Sequence, residues 1–387
     1  MSNHSWPMKK IGDLFDVQLG KMLNEKAKQG NLLPYLANFN VRWGSFDLTR
    51  LNEMTFSEKE RKKFSLERGD LLMCEGGEIG RCAVWEEAYQ PIYFQKALHR
   101  LRPLSRGTNA EFYCYFMQYI ASKGDLPKLV GETSIAHLTR EKLLCLRVPA
   151  PPLPEQTAIA SLLSIWDLAI EKTERLIAAK EKQYLGLLSR LITNGRYPHS
   201  HIREFATEVS RRNSGAAIVQ VLSVTNRNGF VLPEDQFERQ VASSDLSNYK
   251  VVTNGQYAYN PSRINVGSIA RLDNWNIGVL SPMYVVFKLD EAKVNSDFFL
   301  HWLESHEAKQ RISKSAQGSV RETVSFTDLA AIPFPLPFID QQKQIAAILT
   351  TARQEIDLLK KQAEAYRRQK RGLMQRLLTG EWRVKVS

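Results

Sequence analysis

The segment LPEQTAIASLLSIWDLAI, beginning at Leu153, returns as IDQQKQIAAILTTARQEI from Ile339. Each copy follows a proline-rich run, VPAPP or IPFPLP, and each opens a long stretch without proline. At one fixed offset of 186 residues, Gln156, Ile159, Ala160, Leu163 and Ile170 recur as Gln342, Ile345, Ala346, Leu349 and Ile356. Gln183, Gly186, Leu187, Arg190, Leu191 and Thr193 recur as Gln369, Gly372, Leu373, Arg376, Leu377 and Thr379. A repeat at constant spacing requires a doubled architecture.

Both copies carry a four-three spacing, the signature of a coiled-coil seam. The first seam is Ile159, Leu163, Trp166, Ile170, Thr173, Ile177, Lys180, Tyr184, Leu187 and Leu191. The second is Ile345, Leu349, Ala352, Ile356, Leu359, Ala363, Tyr366, Lys370, Leu373 and Leu377. A single-striped helix of about 50 Å is not stable alone, so each copy is expected to take the other as its partner. An antiparallel mirror register sets Tyr184 against Ala352 and Trp166 against the stem of Lys370, avoiding two large aromatics in one layer.

The flanking regions repeat more weakly. GDLLMCEGGEIGRCA (69–83) parallels GQYAYNPSRINVGSIA (255–270), YLANFN (35–40) parallels VLSVTN (221–226), and QKALHRLRP (95–103) parallels SPMYVVFKL (281–289). ALHRLRP, AAIVQVLSV and MYVVFKL have strand character. NAEFYCYFMQYIAS and NSDFFLHWLESHEAKQRI read as helices capped by Asn. The expected class is α+β: two mixed globular recognition domains joined by two long helices in an antiparallel coiled coil, with an internal pseudo-two-fold repeat. The corresponding divisions are 1–150, 151–197, 198–336 and 337–387.

The 387 residues carry a formal net charge of +12, a balance that attracts polyanions such as nucleic acid. No apolar run suits a membrane span or a secretion signal, so a cytoplasmic, reduced setting is expected, with Cys74, Cys82, Cys114 and Cys145 as structural thiols. No GxxxxGK[ST] phosphate loop is present, and GGEIG lacks dinucleotide-binding spacing, so its glycines read as turns. Asn260-Pro261-Ser262-Arg263 lacks the second proline and the aromatic of an amino-methyltransferase element. His199 and His201 read as an exposed turn, with no metal site expected. The chain alone is not expected to be an enzyme.

Planar and cationic side chains cluster in both variable regions. The first offers Arg42 and Trp43, then Lys96, His99, Arg100 and Arg102; the second offers Asn226, Arg227, Asn228, Asn260, Arg263, Asn265, Arg321 and Thr323. Arg suits guanine edges and Asn adenine edges in the major groove, while other cations sit on phosphates. Arg367, Arg368, Lys370, Arg371 and Arg376 on the second helix form either a solvated basic face or a contact to phosphate or an acidic partner.

PPLPEQTAIASLL with LLSRLITNGR, echoed by DQQKQIAAIL with LMQRLLTGEW, resembles the specificity (S) subunits of type I restriction–modification systems. The resemblance spans the chain and includes the glycine-bearing GDLLMCEGGEIG and NPSRINVGSIA; FIDQQ in place of LPEQ is a mild departure. It implies a non-catalytic subunit in which each variable domain reads half of an asymmetric double-stranded DNA target and the helices space the half-sites. It further implies two methyltransferase (M) subunits bringing S-adenosylmethionine, and motor-nuclease (R) subunits using ATP and Mg, with no cofactor on this chain itself. The alternatives are a stand-alone DNA methyltransferase or nuclease with unrecognised motifs, and a structural adaptor.

Overall fold

The computed structural model describes residues 6–22, 31–86, 91–126, 137–226, 228–233, 245–317 and 323–385. Four helices organise the fold: α1 (Ala110–Lys123), α2 (Leu153–Leu188), α3 (Ser296–Glu304) and α4 (Ile339–Leu378). The chain divides into two compact units, 1–173 with 362–387, and 174–361. The long helices are therefore not a body of their own. Each is shared between the units.

In the first unit, β1 (Met8–Lys10), β2 (Phe15–Leu19), β3 (Leu71–Cys74), β4 (Cys82–Val84), β5 (Leu98–Pro103) and β6 (Arg147–Pro149) build the frame. The central sheet runs β2-β5-β3-β4, all antiparallel, and β1 pairs with β6 immediately before α2. Helix α1 is capped by the Asn109 side chain, which accepts from Phe112 N, and buries Phe112, Tyr113, Phe116 and Met117. That face joins Phe15, Leu71 and Leu101 of the sheet, Ile159 and Leu163 of α2, and Met374, Leu377 and Leu378 of α4 in one core.

The second unit repeats the plan. Strands β7 (His199–His201), β8 (Ala206–Glu208), β9 (Tyr257–Tyr259), β10 (Ile269–Arg271), β11 (Val285–Leu289) and β12 (Pro333–Pro335) give the sheet order β8-β11-β9-β10 and the pair β7-β12. Tyr184 and Leu188 of α2, and Ile345, Leu349 and Ile356 of α4, close its core against Phe298, Phe299 and Trp302 of α3. NSDFFLHWLESHEAKQRI is expected as one helix but is broken at Ser305. The buried Ser305 hydroxyl accepts from Ala308 N and starts a second helix, His306–Gln317. His199 and His201 stand on strand β7 opposite Pro335 and Pro333, not in a turn.

Within each unit the two helices pair antiparallel. Lys370 reaches Asp167 at 2.5 Å in the first unit; in the second, Lys180 pairs with Glu355 and Glu181 with Lys360. Arg353 lies over Tyr184 whereas Lys360 reaches Glu181, so numbers fall on one helix as they rise on the other. The expected seam residues are buried or half-buried throughout, while Leu188 and Ile192 are buried more deeply than Leu187 and Leu191. Helical drift against a strict heptad, together with a wide π turn at Ser189–Thr193, rotates the stripe there.

One side-chain expectation fails. Trp166 packs edge-on against Tyr366 at 5.7 Å, so two aromatics do share a layer. They fit because both lie half-exposed at the rim of the seam. The Lys370 ammonium lies 5.0 Å over the Tyr115 ring and is neutralised by Asp167, the neighbour of Trp166. Tyr184 shares a core with Ala352 as expected.

Candidate nucleic-acid interface

In the second unit, three stretches far apart in sequence come together. The hairpin Ser223–Thr225/Gly229–Val231 lies beside the β9–β10 loop. Buried Ser268 donates from its hydroxyl to Val224 O at 2.8 Å, and a Cβ on Gly267 would sit 3.7 Å from that of Asn226. Gly267 has φ +93°, a left-handed conformation that suits glycine. Val324 N donates to Pro261 O, which brings Thr323 to the same loop. Asn226, Asn228, Arg263 and Asn265 are exposed; Asn260 and Thr323 are half-buried. The Asn260 carboxamide oxygen accepts from Ser262 N and so shapes the loop. Arg227 and Arg321 lie outside the described residues.

The first unit has a matching convergence. Val41–Arg42 pairs with Ser45–Phe46 around a turn whose Gly44 has φ +71°. The Trp43 indole donates to Glu78, Glu78 pairs with Arg81 at 3.0 Å, and Arg81 donates to Asn38, whose amide donates to Gly76 O. The hairpin and the GGEIG turn are thereby tied, with Gly77 and Gly80 at positive φ. Arg42 is exposed and holds only a loose surface pair with Asp47 at 3.3 Å. Lys96 is exposed on a turn seated against Gly20, where a Cβ would lie 2.2 Å from Gln95 O.

Three candidates are withdrawn from this surface. His99 is fully buried, its Nε2 2.9 Å from Leu138 O, and burial pulls its pKa down against that bond, favouring the neutral ring. Arg100 is buried, donating to the Lys63 and Ser65 carbonyls and to Asp16. Arg102 forks onto Asp70 at 2.7 and 2.8 Å and reaches Glu67; the Asp70 bond keeps it firmly protonated. They sit on β5, paired with β2 on one edge and β3 on the other, and the two guanidiniums brace the sheet. On α4, Lys370 is likewise buried, Arg367 and Arg371 share Glu364, and Arg376 stacks 4.4 Å over Trp382.

One residue at this surface escapes the sequence reading. His137 lies against Gly76, and Leu138 N donates to Glu75 O, just as Val324 N does to Pro261 O. The signal was available, since subtracting 186 from Thr323 gives His137. Among the described residues no group of three His, Cys, Asp or Glu could hold a metal ion, and no helix is long and apolar enough to cross a membrane.

A duplicated α+β unit that gathers unlike polar loops, threaded by paired helices, defines a sequence-reading module. The family model for the type I restriction modification DNA specificity domain matches residues 3–181 and 247–365, and the chain belongs to that family. It is a type I restriction–modification specificity subunit, a non-catalytic chain that gives a complex its DNA sequence specificity. It is 22% identical to the MjaVIII specificity subunit of Methanocaldococcus jannaschii over 98% of this chain and 93% of that one. Among solved structures it resembles the S subunit from M. genitalium, with a TM-score of 0.59, 16% identity and coverage of 100% and 98%. It also resembles the HsdS subunit from Thermoanaerobacter tengcongensis, with a TM-score of 0.50, 13% identity and 98% of each chain covered.

Proposed function

We propose that each unit reads one half of a split, asymmetric duplex-DNA target. The first unit works through Arg42, Trp43 and Lys96; the second through Asn226, Asn228, Asn260, Arg263, Asn265 and Thr323, with Arg227 and Arg321 as their sequence neighbours. Arg selects guanine and Asn adenine from the major groove, and the remaining cations position the chain on phosphate. The observation that carries this reading is the convergence of separate, chemically different loops in each of two units of one topology. Like topology with unlike loops is what an asymmetric two-part target calls for.

The similar outer faces of α2 and α4 would each accept a methyltransferase subunit. That partner brings S-adenosylmethionine and adenine methylation; motor-nuclease subunits bring ATP- and Mg-dependent translocation and cleavage. The assembly acts on DNA in the cytoplasm, and this chain supplies address and scaffold.

The test is reconstitution with a methyltransferase subunit, followed by mapping of methylated adenines. The expected result is methylation at one bipartite sequence, with none from the isolated chain given S-adenosylmethionine. Methylation indifferent to sequence contradicts the proposal. Turnover by the isolated chain favours a stand-alone enzyme instead.

A further inference from the structure

The β9–β10 loop displays one side chain that its polar neighbours do not explain. Val266 is 60% exposed, between exposed Arg263 and Asn265 on one side and Gly267 on the other. A scattered apolar residue on a surface needs no explanation. This one differs because its position is fixed. Ile264, 2% exposed, anchors the turn in the core, and Ser268, 3% exposed, pins its far end to Val224 O. Val266 N and Ser268 N both donate to Arg263 O, and Gly267 N donates to Ile264 O. Between those pins, a short 3₁₀ turn holds Val266 outward in a segment that also exposes Arg263 and Asn265. A β-branched side chain adds a stiff χ1, so little rotamer freedom is lost when it meets a ligand.

Duplex DNA presents one apolar feature in its major groove, the thymine 5-methyl group, and small apolar side chains read it. Resting on the specificity reading above, we infer that Val266 is a base-reading residue of the second unit that packs on a thymine 5-methyl group, next to a pair read by Arg263 or Asn265. The apolar contact discriminates thymine from cytosine at a position where a hydrogen-bonding side chain would also tolerate other bases. Burial of one methyl-sized group sets the scale at about four-fold in affinity, or about 0.8 kcal/mol.

The full-length chain is incubated with two random-sequence duplex pools, one built with thymine and one with uracil, and bound fragments are sequenced. Wild type is expected to favour thymine at one position of one half-site about four-fold, and to lose that preference in the uracil pool. Val266→Ser is expected to lose it in both pools with other positions unchanged, and Val266→Ile to keep it; melting temperatures show that both variants fold. A sequence preference that is identical in both pools and in Val266→Ser overturns this inference and leaves the specificity reading intact. Uniform loss of affinity in Val266→Ser, with base preferences kept, also overturns it. Binding without sequence preference in either pool overturns the specificity reading itself.

Discussion

Gln156 and Gln342 perform one task twice. Each is almost wholly buried, accepts from the backbone N–H of a helix-capping asparagine, Asn109 or Asn295, and donates to the carbonyl of Pro151 or Pro337. Each glutamine thus locks the start of a long helix to the cap of α1 or α3, which explains why this residue survives in both copies. Gln342→Leu strands the part-buried Asn295 N–H and the carbonyls of Pro337 and Lys293, and is expected to cost about 3 kcal/mol, read from the denaturant midpoint. Arg102→Ala leaves the buried Asp70 carboxylate without its fork and is expected to cost about 3 kcal/mol as well, with DNA base preference unaltered. A changed base preference in that variant would return Arg102 to the reading surface. Glu155 supplies a pH test. Burial pushes its pKa up, but the Arg383 guanidinium and the Trp6 indole outweigh that and hold it below the ordinary 4.5. With the folded value depressed, its contribution is complete above pH 4.5 and lost as pH falls through the folded value. Thermal melts from pH 6 to 3 are expected to fall less steeply for Arg383→Ala than for wild type.

At the scale of elements, the helix pair is held by different polar keys in the two units. In the first, Tyr115 donates to Asp167 at 2.7 Å and Lys370 closes the group. The positions 186 further on, or back, are His301, Arg353 and Tyr184, where the Tyr184 hydroxyl meets His301 and Glu304 and Arg353 lies 4.3 Å over its ring. Asp167→Asn leaves a buried ammonium unpaired and is expected to cost about 2 kcal/mol, whereas Lys370→Met costs less; equal losses in a denaturation series would contradict this pairing. Periodicity made both helices legible in the sequence, because a four-three stripe needs only local spacing to be seen. The rim pair Trp166–Tyr366 and the break at Ser305 were not legible. The first depends on how far each ring sits from the seam axis, the second on a single buried hydroxyl. The exposed polar loops were legible by composition. The burial of His99 and Arg100 and the pairing of Arg102 were not, since a strand's basic residues look the same whether water or a carboxylate faces them.

For the whole molecule, the +12 charge and the two exposed loop clusters predict affinity that falls steeply with salt. Binding to nonspecific duplex is expected to weaken by an order of magnitude or more between about 50 and 200 mM salt, measured by fluorescence anisotropy. A flat response would mean that the charge serves another purpose. The most direct test of two independent readers is an exchange of residues 198–336 for the matching segment of another specificity subunit, followed by mapping of methylated sites in the assembled complex. The prediction is that one half of the target changes while the other half is retained. Alteration of both halves, or of neither, would contradict the account.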